Sequence, residues 1–298
     1  MSTEIEPERP VDDPGEPRPH ARHSALKRRL GKFGWLLPPD VPPDGTMTLT
    51  EHLKELRYRV IAAVIAVIIG MLFCGLFFDS LYNWLQQPYN VAAADLAQTR
   101  PGTHTQIVNI GVTAPFMLAM KVVGIAGLVV SSPLWLYQLW AFIAPGLLRQ
   151  EKKWALLFVG SSVPLFAAGV WVGYLVMPKG IEMMLSFTPE SAQVTNMLDL
   201  PYFLDFLVRV MLVFGVSFLL PVVIVVLNMV GVVRAEQLSK VRSYAIFGCF
   251  VFGAIATPST DPFSMIALSL PMSVLYVIAE FICRAREKGL RKKEVATQ

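Results

Sequence analysis

Between Val60 and Cys283 the chain carries very few charged side chains. These 224 residues hold 20 of the 48 Asp, Glu, Lys and Arg residues in the 298-residue sequence. A water-soluble domain carries about 25% charged residues, spread over its whole surface. A soluble globule, a disordered chain and a disulfide framework are therefore excluded for this stretch. A protein that crosses the membrane several times is predicted.

Six apolar runs follow one another along the chain, and each is interpreted as a membrane-spanning helix. They cover 60–78, 112–148, 154–177, 202–230, 244–256 and 263–283. Pro133 is expected to bend the second run, and the fifth is short for a span of about 20 residues. Thr48 and Glu51 have the spacing of a capping box, so the first helix is predicted to begin near Thr48. The sequence thus predicts an all-α polytopic membrane protein with six transmembrane helices.

The charged ends of the chain indicate its domains and its orientation. Residues 1–46 are predicted to be a disordered tail, 47–283 the six-helix transmembrane domain and 284–298 a basic tail. When the two ends of the chain, 1–59 and 284–298, are grouped with the two loops expected on the same side, at 145–153 and 231–242, that side holds 22 of the 26 Lys and Arg residues. Basic residues concentrate in cytoplasmic segments, so both termini are predicted to be cytoplasmic. The same segments account for the net charge of +4, and no nucleic-acid partner is predicted.

The sequence carries no motif for metal catalysis or nucleotide hydrolysis. Its four histidines lie in the N-terminal tail or on opposite sides of the membrane, and HExxH, EF-hand, GxxxxGK[ST] and GxSxG patterns do not occur. No catalytic residue, metal site or cofactor is therefore predicted. Energy for any transport is expected to come from a gradient or a partner.

Two acids stand out at the predicted cytoplasmic face. His52, Glu55 and Arg59 recur at i, i+3 and i+7 and share one face of a helix, while Glu151 follows the second run within RQEKK. Both acids can be interpreted as ordinary surface charges, Glu55 paired with Arg59 and Glu151 beside two lysines. The alternative is a binding site, because a carboxylate among cations at a membrane surface suits a guanidinium ligand.

Sequence blocks along most of the chain resemble the TatC family, the multi-spanning component of the twin-arginine protein translocase. The blocks are HLKELRYR, TAPF with Lys121 five residues after its Phe116, SSPLWLYQLWAFIAPGLLRQEKK, FGVSF..P, TPSTDPFS, LSLPM and CR. They cover about residues 47–286 in the order of the family. The resemblance implies a concave, cup-like bundle of six helices in a bacterial-type cytoplasmic membrane. It also implies a docking scaffold rather than an enzyme.

The resemblance implies a function in protein export. Members of this family bind the twin-arginine signal peptides of folded precursor proteins at the cytoplasmic face. Glu55 of the HLxELR block and Glu151 after the FIAP block are expected to receive the two arginines. Arg57, and His52 on the face of Glu55, are included in this signal-peptide site. Single-span TatA and TatB subunits, self-association in a larger complex and dependence on the proton gradient are also implied.

Other positions match family residues with different roles. Three are expected to shape loops: Pro88, Phe142 and Pro145. Four are expected to contact partner subunits: Thr257, Asp261, Met265 and Glu280. Ordinary packing is the alternative for Phe142 and Pro145, and a helix cap is the alternative for Asp261.

The chain also departs from the family pattern within the predicted spans. Leu219 replaces an acid that many members carry in helix four, and Met265 stands where glutamine is frequent. Val277 stands where a glutamate is common in helix six. Glu280, three residues further on nearly the same face, is a candidate substitute for it. The alternative is that Glu280 only reaches toward Arg284.

Two other function classes stay open from the residues alone. A secondary transporter for a small solute is expected to show inverted repeats, and no convincing repeat of helices 1–3 appears in helices 4–6. A membrane enzyme, such as an acyltransferase, needs a nucleophile or base near one face, for which His52 is the candidate. Solute uptake by proteoliposomes supports the first class, and loss of lipid turnover on substitution of His52 supports the second.

Overall fold

The computed structural model describes residues 49–99, 104–143, 152–187, 195–257 and 262–296. Within these ranges the chain forms α1 (Leu49–Gly75), α2 (Phe78–Thr99), β1 (His104–Val108), α3 (Ala114–Val130), α4 (Ser132–Ile143), α5 (Lys152–Leu185), β2 (Thr195–Asp199), α6 (Leu200–Ser217), α7 (Leu220–Val230), α8 (Ala235–Lys240), α9 (Arg242–Ala256) and α10 (Pro262–Ala296). The chain divides into two compact units, Met1–Tyr58 and Arg59–Gln298. In the first unit the described residues are the helical start of α1. Thr48, the predicted cap, lies outside the described residues.

Each of the six predicted apolar runs corresponds to one or two helices. Four helical segments are long and apolar enough to cross a membrane: His52–Gly75, Leu157–Leu185, Leu200–Val230 and Pro262–Lys292. The pair α3 and α4 adds a fifth span if the two helices, bent by 60°, cross together. The fifth run corresponds to α9, which has only 15 residues and is short of a full span. Among the described residues, each of the six runs is largely helical, as predicted.

The bend in the second run and the break in the fourth run both occur next to a proline. A proline has no backbone N–H, so the helix loses one hydrogen bond a turn earlier. The helix is interrupted at Ser131, two residues before Pro133. Across this interruption, the indole N–H of Trp135 donates a hydrogen bond to the carbonyl of Leu128 at 2.9 Å. The break between α6 and α7 likewise precedes Pro221. The bend predicted at Pro133 is therefore confirmed.

Two short strands, which the sequence did not predict, accompany the helices. β1 and β2 pair in parallel, with His104 opposite Thr195 and Val108 opposite Asp199. Each strand comes shortly before a helix, β1 before α3 and β2 before α6. Five-residue strands whose partner lies about 90 residues away carry too weak a local pattern to be predicted from the sequence.

The last helix is longer than the predicted span. α10 has 35 residues, which is about 52 Å of helix, whereas the hydrocarbon core of a membrane is about 30 Å thick. Its apolar part ends near Cys283, and the helix continues through the basic segment to Ala296. The segment predicted to be a basic tail is therefore helical as far as Ala296.

Glycines allow pairs of helices in the second unit to approach closely. A Cβ atom added to Gly70 of α1 would lie 2.6 Å from the carbonyl oxygen of Gly127 in α3. A Cβ atom added to Gly169 of α5 would lie 2.5 Å from the carbonyl oxygen of Phe214 in α6. The backbones touch at these points, which is the packing that small residues permit between membrane helices.

Candidate functional site

Glu55 lies in α1, five residues before the apolar run begins at Val60, and its side chain is 2% exposed. His52, one turn earlier on the same face, is half-buried, whereas Arg57 is exposed. Residues two apart on a helix do not face each other, so Arg57 points away from Glu55. The structure thus brings His52 and Glu55 onto one face and separates Arg57 from them.

The end of α4 lies near the start of the apolar run of α1. The guanidinium Nη1 of Arg59 is 3.5 Å from the side-chain oxygen Oε1 of Gln138, a long hydrogen bond. Phe142, four residues further along α4, is half-buried just before the helix ends. Pro145 and Glu151 lie outside the described residues. Of the three residues predicted at the end of the second run and in the loop after it, the structure therefore describes only Phe142.

Pro88 lies inside a helix, which corrects its predicted role in shaping a loop. It is the eleventh residue of α2 and is buried. α2 packs against α5 through stacked aromatic rings, with the centroids of Trp84 and Tyr174 4.1 Å apart and the planes 6° apart. The hydroxyl of Tyr174 also donates to the carbonyl of Trp84 at 2.9 Å. Burial against neighbouring helices explains why this segment stays helical despite its proline.

Two of the residues predicted to contact partners lie at one end of α9 and α10. Thr257 is buried, and its hydroxyl donates to the carbonyl of Gly253 one turn back, at 2.8 Å. Met265 is half-buried in the first turn of α10, and its carbonyl accepts a hydrogen bond from Ser269 at 2.7 Å. Asp261, between the two helices, lies outside the described residues. Thr257 and Met265 therefore share one end of this helix pair.

Glu280 lies far from that end, in a different cluster. It is 15 residues beyond Met265 on α10, a distance of about 22 Å along the helix. Its side chain is 1% exposed and accepts hydrogen bonds from Nε and Nη2 of Arg242, both at 2.9 Å. It also forms an ion pair with Arg284 one turn on. The carboxylate of Glu280 is therefore engaged within the chain, including the pairing with Arg284 that was the alternative, and its contact with partner subunits stays a prediction.

A second polar cluster joins the end of α7 to α10, and sequence reasoning missed it. Asn228 is 5% exposed and donates to Oε1 of Glu287 at 2.7 Å. The same oxygen accepts the backbone N–H of Ala235 at 2.8 Å, and Arg286 donates to the side chain of Asn228 at 3.0 Å. Asn228 is the one polar side chain in the apolar run IVVLNMV. Because such a group needs hydrogen-bonding partners in a membrane, it could have indicated this cluster from the sequence.

A third pair joins α3 to α6. Lys121 donates to Asp205 at 2.8 Å, and both side chains are about one third exposed. Asp205 could have indicated this pair from the sequence, because an acid within an apolar run needs a partner in a membrane. Among the described residues, no group of three or more His, Cys, Asp or Glu side chains is arranged to hold a metal ion.

Glu236 in α8 shows what an ordinary surface acid looks like in this chain. Its side chain is 73% exposed and pairs with Lys240 at 3.0 Å. The hydrogen bond from Lys240 lowers the pKa of Glu236 below its ordinary value. Glu236 is therefore exposed to solvent, whereas Glu55 is buried.

Comparison with known proteins gives a consistent result. A family model described as TatC, Sec-independent protein translocase protein, matches residues 51–271. The chain is similar to proteins named Sec-independent protein translocase protein TatC. That of Frankia casuarinae is 40% identical over 242 residues, which are 80% of this chain and 66% of that protein. That of Escherichia coli K12 is 35% identical over 242 residues, 81% of this chain and 90% of that protein.

The aligned lengths differ among the relatives. The protein of Corynebacterium kroppenstedtii is 34% identical over 83% of this chain and 63% of its own length. The chain thus spans less than two thirds of that relative and about two thirds of the Frankia protein.

Solved structures agree with the sequence comparison. The crystal structure of the twin arginine translocase receptor TatC in DDM superposes with a TM-score of 0.64 at 30% identity. The match covers 78% of this chain and 99% of that one. The predicted helical polytopic membrane fold is confirmed by this match.

Proposed function

Because the chain belongs to the TatC family of Sec-independent protein translocase proteins, we propose that it binds the twin-arginine signal peptides of folded precursor proteins at the cytoplasmic membrane face. The chain is a multi-pass bacterial membrane protein and a component of protein transport rather than a member of a catalytic enzyme family. In the proposal it assembles with TatA- and TatB-type subunits, and the proton gradient drives export.

The burial of Glu55 at the start of the first span is the observation that carries this proposal. Each arginine of the signal peptide presents paired N–H donors in a fixed, planar fork. A carboxylate binds this fork with two parallel hydrogen bonds, and so more favourably than it binds the point charge of a lysine. Glu55 supplies one carboxylate and Glu151, in the family's second block, the other. Since Glu55 is only 2% exposed, binding includes a local rearrangement that uncovers it.

The contacts of α10 support a cytoplasmic position for both termini. The 231–242 loop and the 284–298 segment were grouped on one side by their basic residues. The hydrogen bond from the Ala235 N–H to Glu287 joins these two segments, and the bonds from Arg242 join the loop to Glu280, four residues before the second segment begins. These bonds support assigning the two segments to one membrane face, as the proposed orientation requires.

Export in cells that lack their own TatC tests the proposal. The variants Glu55→Gln and Glu151→Gln are expected to abolish export of a twin-arginine precursor while the level of the protein in the membrane stays unchanged. Glu236→Gln removes an exposed acid from a loop that the proposal places on the same side, and it should leave export intact. Full export by the double variant Glu55→Gln/Glu151→Gln would contradict the proposed site.

We further propose that partner subunits contact the end of α9 and α10 that carries Thr257 and Met265. Both residues lie at this end, whereas Glu280 is engaged about 22 Å away along α10. Cysteine at Met265 is expected to form crosslinks to a TatB-type subunit. Cysteine at Phe281, which is 73% exposed near Glu280, is the matched control and should not. Equal crosslinking at both positions would contradict this assignment.

A further inference from the structure

We propose that a basic groove at the end of the last span binds the phosphate headgroup of an anionic phospholipid. The groove is a cavity of about 310 Å³ between α8 and the C-terminal part of α10. Its basic side chains are Arg284, Lys288 and Arg291. None of these residues belongs to the proposed signal-peptide site, and the proposal does not depend on that site.

The groove lies where the apolar surface of α10 ends. Phe281 and Ile282 are 73% and 44% exposed, as expected for side chains that face lipid. Phe281, Arg284 and Lys288 are spaced at i, i+3 and i+7, so they share one face of the helix. An exposed apolar side chain is thus followed by two cations within two turns. This order matches a phospholipid, whose acyl chains adjoin its phosphate.

The acids that line the groove are engaged with other groups. Glu287 accepts hydrogen bonds from Asn228 and from the backbone of Ala235, at 2.7 and 2.8 Å. Glu236 is paired with Lys240 at 3.0 Å. Among the described residues, no ion pair involves Lys288 or Arg291. The lining thus carries three basic and two acidic side chains, an excess of one positive charge.

The walls of the groove are held in place by hydrogen bonds outside it. The hydroxyl of Tyr276 donates to the carbonyl of Leu238 at 2.9 Å, and Arg286 donates to the side chain of Asn228 at 3.0 Å. Together with the bonds of Glu287 they fix α8 against α10. Cations on fixed elements lose little conformational freedom when they bind an anion, which favours a specific site over a diffuse attraction.

Binding of defined lipids to the purified full-length chain tests the proposal. Phosphatidylglycerol and phosphatidylcholine with the same acyl chains are titrated in detergent, and bound lipid is counted by native mass spectrometry. Phosphatidylglycerol is expected to bind more tightly. The double variant Lys288→Gln/Arg291→Gln should weaken its binding at least about tenfold, because each basic residue near a membrane surface contributes substantially to attraction of an anionic lipid.

A matched variant separates the groove from net charge. Lys54→Gln/Lys292→Gln also removes two exposed cations, and neither residue lines the groove. It should change binding of phosphatidylglycerol less than twofold, while Lys288→Arg/Arg291→Lys should retain it. Equal weakening by the two neutralised pairs, or by neither, would overturn the proposal. Glycerol phosphate that competes with the lipid at equal concentration would also overturn it, because the site would then bind a soluble anion.

Discussion

Glu280 of α10 accepts both hydrogen bonds of the Arg242 fork at the start of α9, each at 2.9 Å. The side chain of Glu280 is 1% exposed, whereas that of Arg242 is 44% exposed. The pair therefore fixes the short helix α9 to α10 at the end opposite Thr257. A helix of 15 residues gains more from such a contact than a full span does, since fewer of its own residues anchor it.

We expect Glu280→Gln to lower the free energy of unfolding by about 2 kcal/mol, because a hydrogen bond to a charged group contributes about 1.5–3 kcal/mol and the amide offers only one acceptor oxygen to the Arg242 fork. Arg242→Lys should have a similar effect, since an ammonium cannot reproduce the fork. Unfolding in detergent measures both variants. Glu236→Gln, at an exposed ion pair, should change stability by less than about 0.5 kcal/mol. An equal loss in the Glu236 variant would contradict the assigned role of the Glu280 pair.

The Asn228 cluster predicts an asymmetry between two isosteric changes. Asn228→Asp would place a second carboxylate against Glu287 and remove the 2.7 Å hydrogen bond, so it should destabilise the chain by about 1–3 kcal/mol. Glu287→Gln keeps an acceptor oxygen for Asn228 and for the Ala235 N–H, so its effect should be smaller. Thermal unfolding of the two variants provides the comparison. The reverse order would show that Glu287 does not depend on Asn228.

The close crossing of α1 and α3 predicts that alanine is not tolerated at its glycines. A Cβ atom on Gly127 would lie 2.6 Å from the backbone nitrogen of Met71, so Gly127→Ala must separate the helices. We expect a loss of about 1–3 kcal/mol, as for other overpacked sites. Gly160→Ala and Gly248→Ala are matched controls in open space, where the added methyl group should be neutral or slightly stabilising. If all three variants unfold alike, the crossing is not as close as described.

The Lys121–Asp205 pair predicts measurable coupling between α3 and α6. Both side chains are about one third exposed, so solvent or lipid headgroups screen part of their attraction. A double-mutant cycle with Lys121→Ala and Asp205→Ala should give an interaction energy of about 1 kcal/mol or less. The charge exchange Lys121→Asp/Asp205→Lys should recover part of the stability lost in either single variant. Additive effects of the single variants would show that the pair is not coupled.

Much of the fold could be predicted because the membrane imposes simple local rules. Long apolar runs become helices, and Pro133 bends one of them since its missing N–H cannot be replaced within the helix. The parallel pairing of β1 with β2 could not be predicted, since it depends on a contact between segments about 90 residues apart. The helical continuation of α10 beyond Cys283 was not predicted, because a run of basic residues is typical of a solvated tail. The hydrogen bond from Asn228 to Glu287, which helps to hold this part of α10 in place, could not be read from the sequence.

The candidate site was predictable to a smaller extent. Sequence spacing correctly placed His52 and Glu55 on one helical face. It could not show that Glu280 is engaged by Arg242, which is 38 residues earlier in the chain. The family resemblance grouped Glu280 with Met265 as partner contacts, although about 22 Å of helix separates them. The tertiary partner of Glu280 was the information that the sequence blocks lacked.

The affinity of a twin-arginine signal peptide for the purified full-length chain tests the central proposal most directly. Wild-type protein is expected to bind the peptide with two arginines at least about tenfold more tightly than the same peptide with two lysines, because a charge-assisted hydrogen bond contributes about 1.5–3 kcal/mol. Glu55→Gln/Glu151→Gln should lose that preference, and Glu236→Gln should keep it. Unchanged affinity and unchanged preference for arginine in the Glu55→Gln/Glu151→Gln variant would contradict the account.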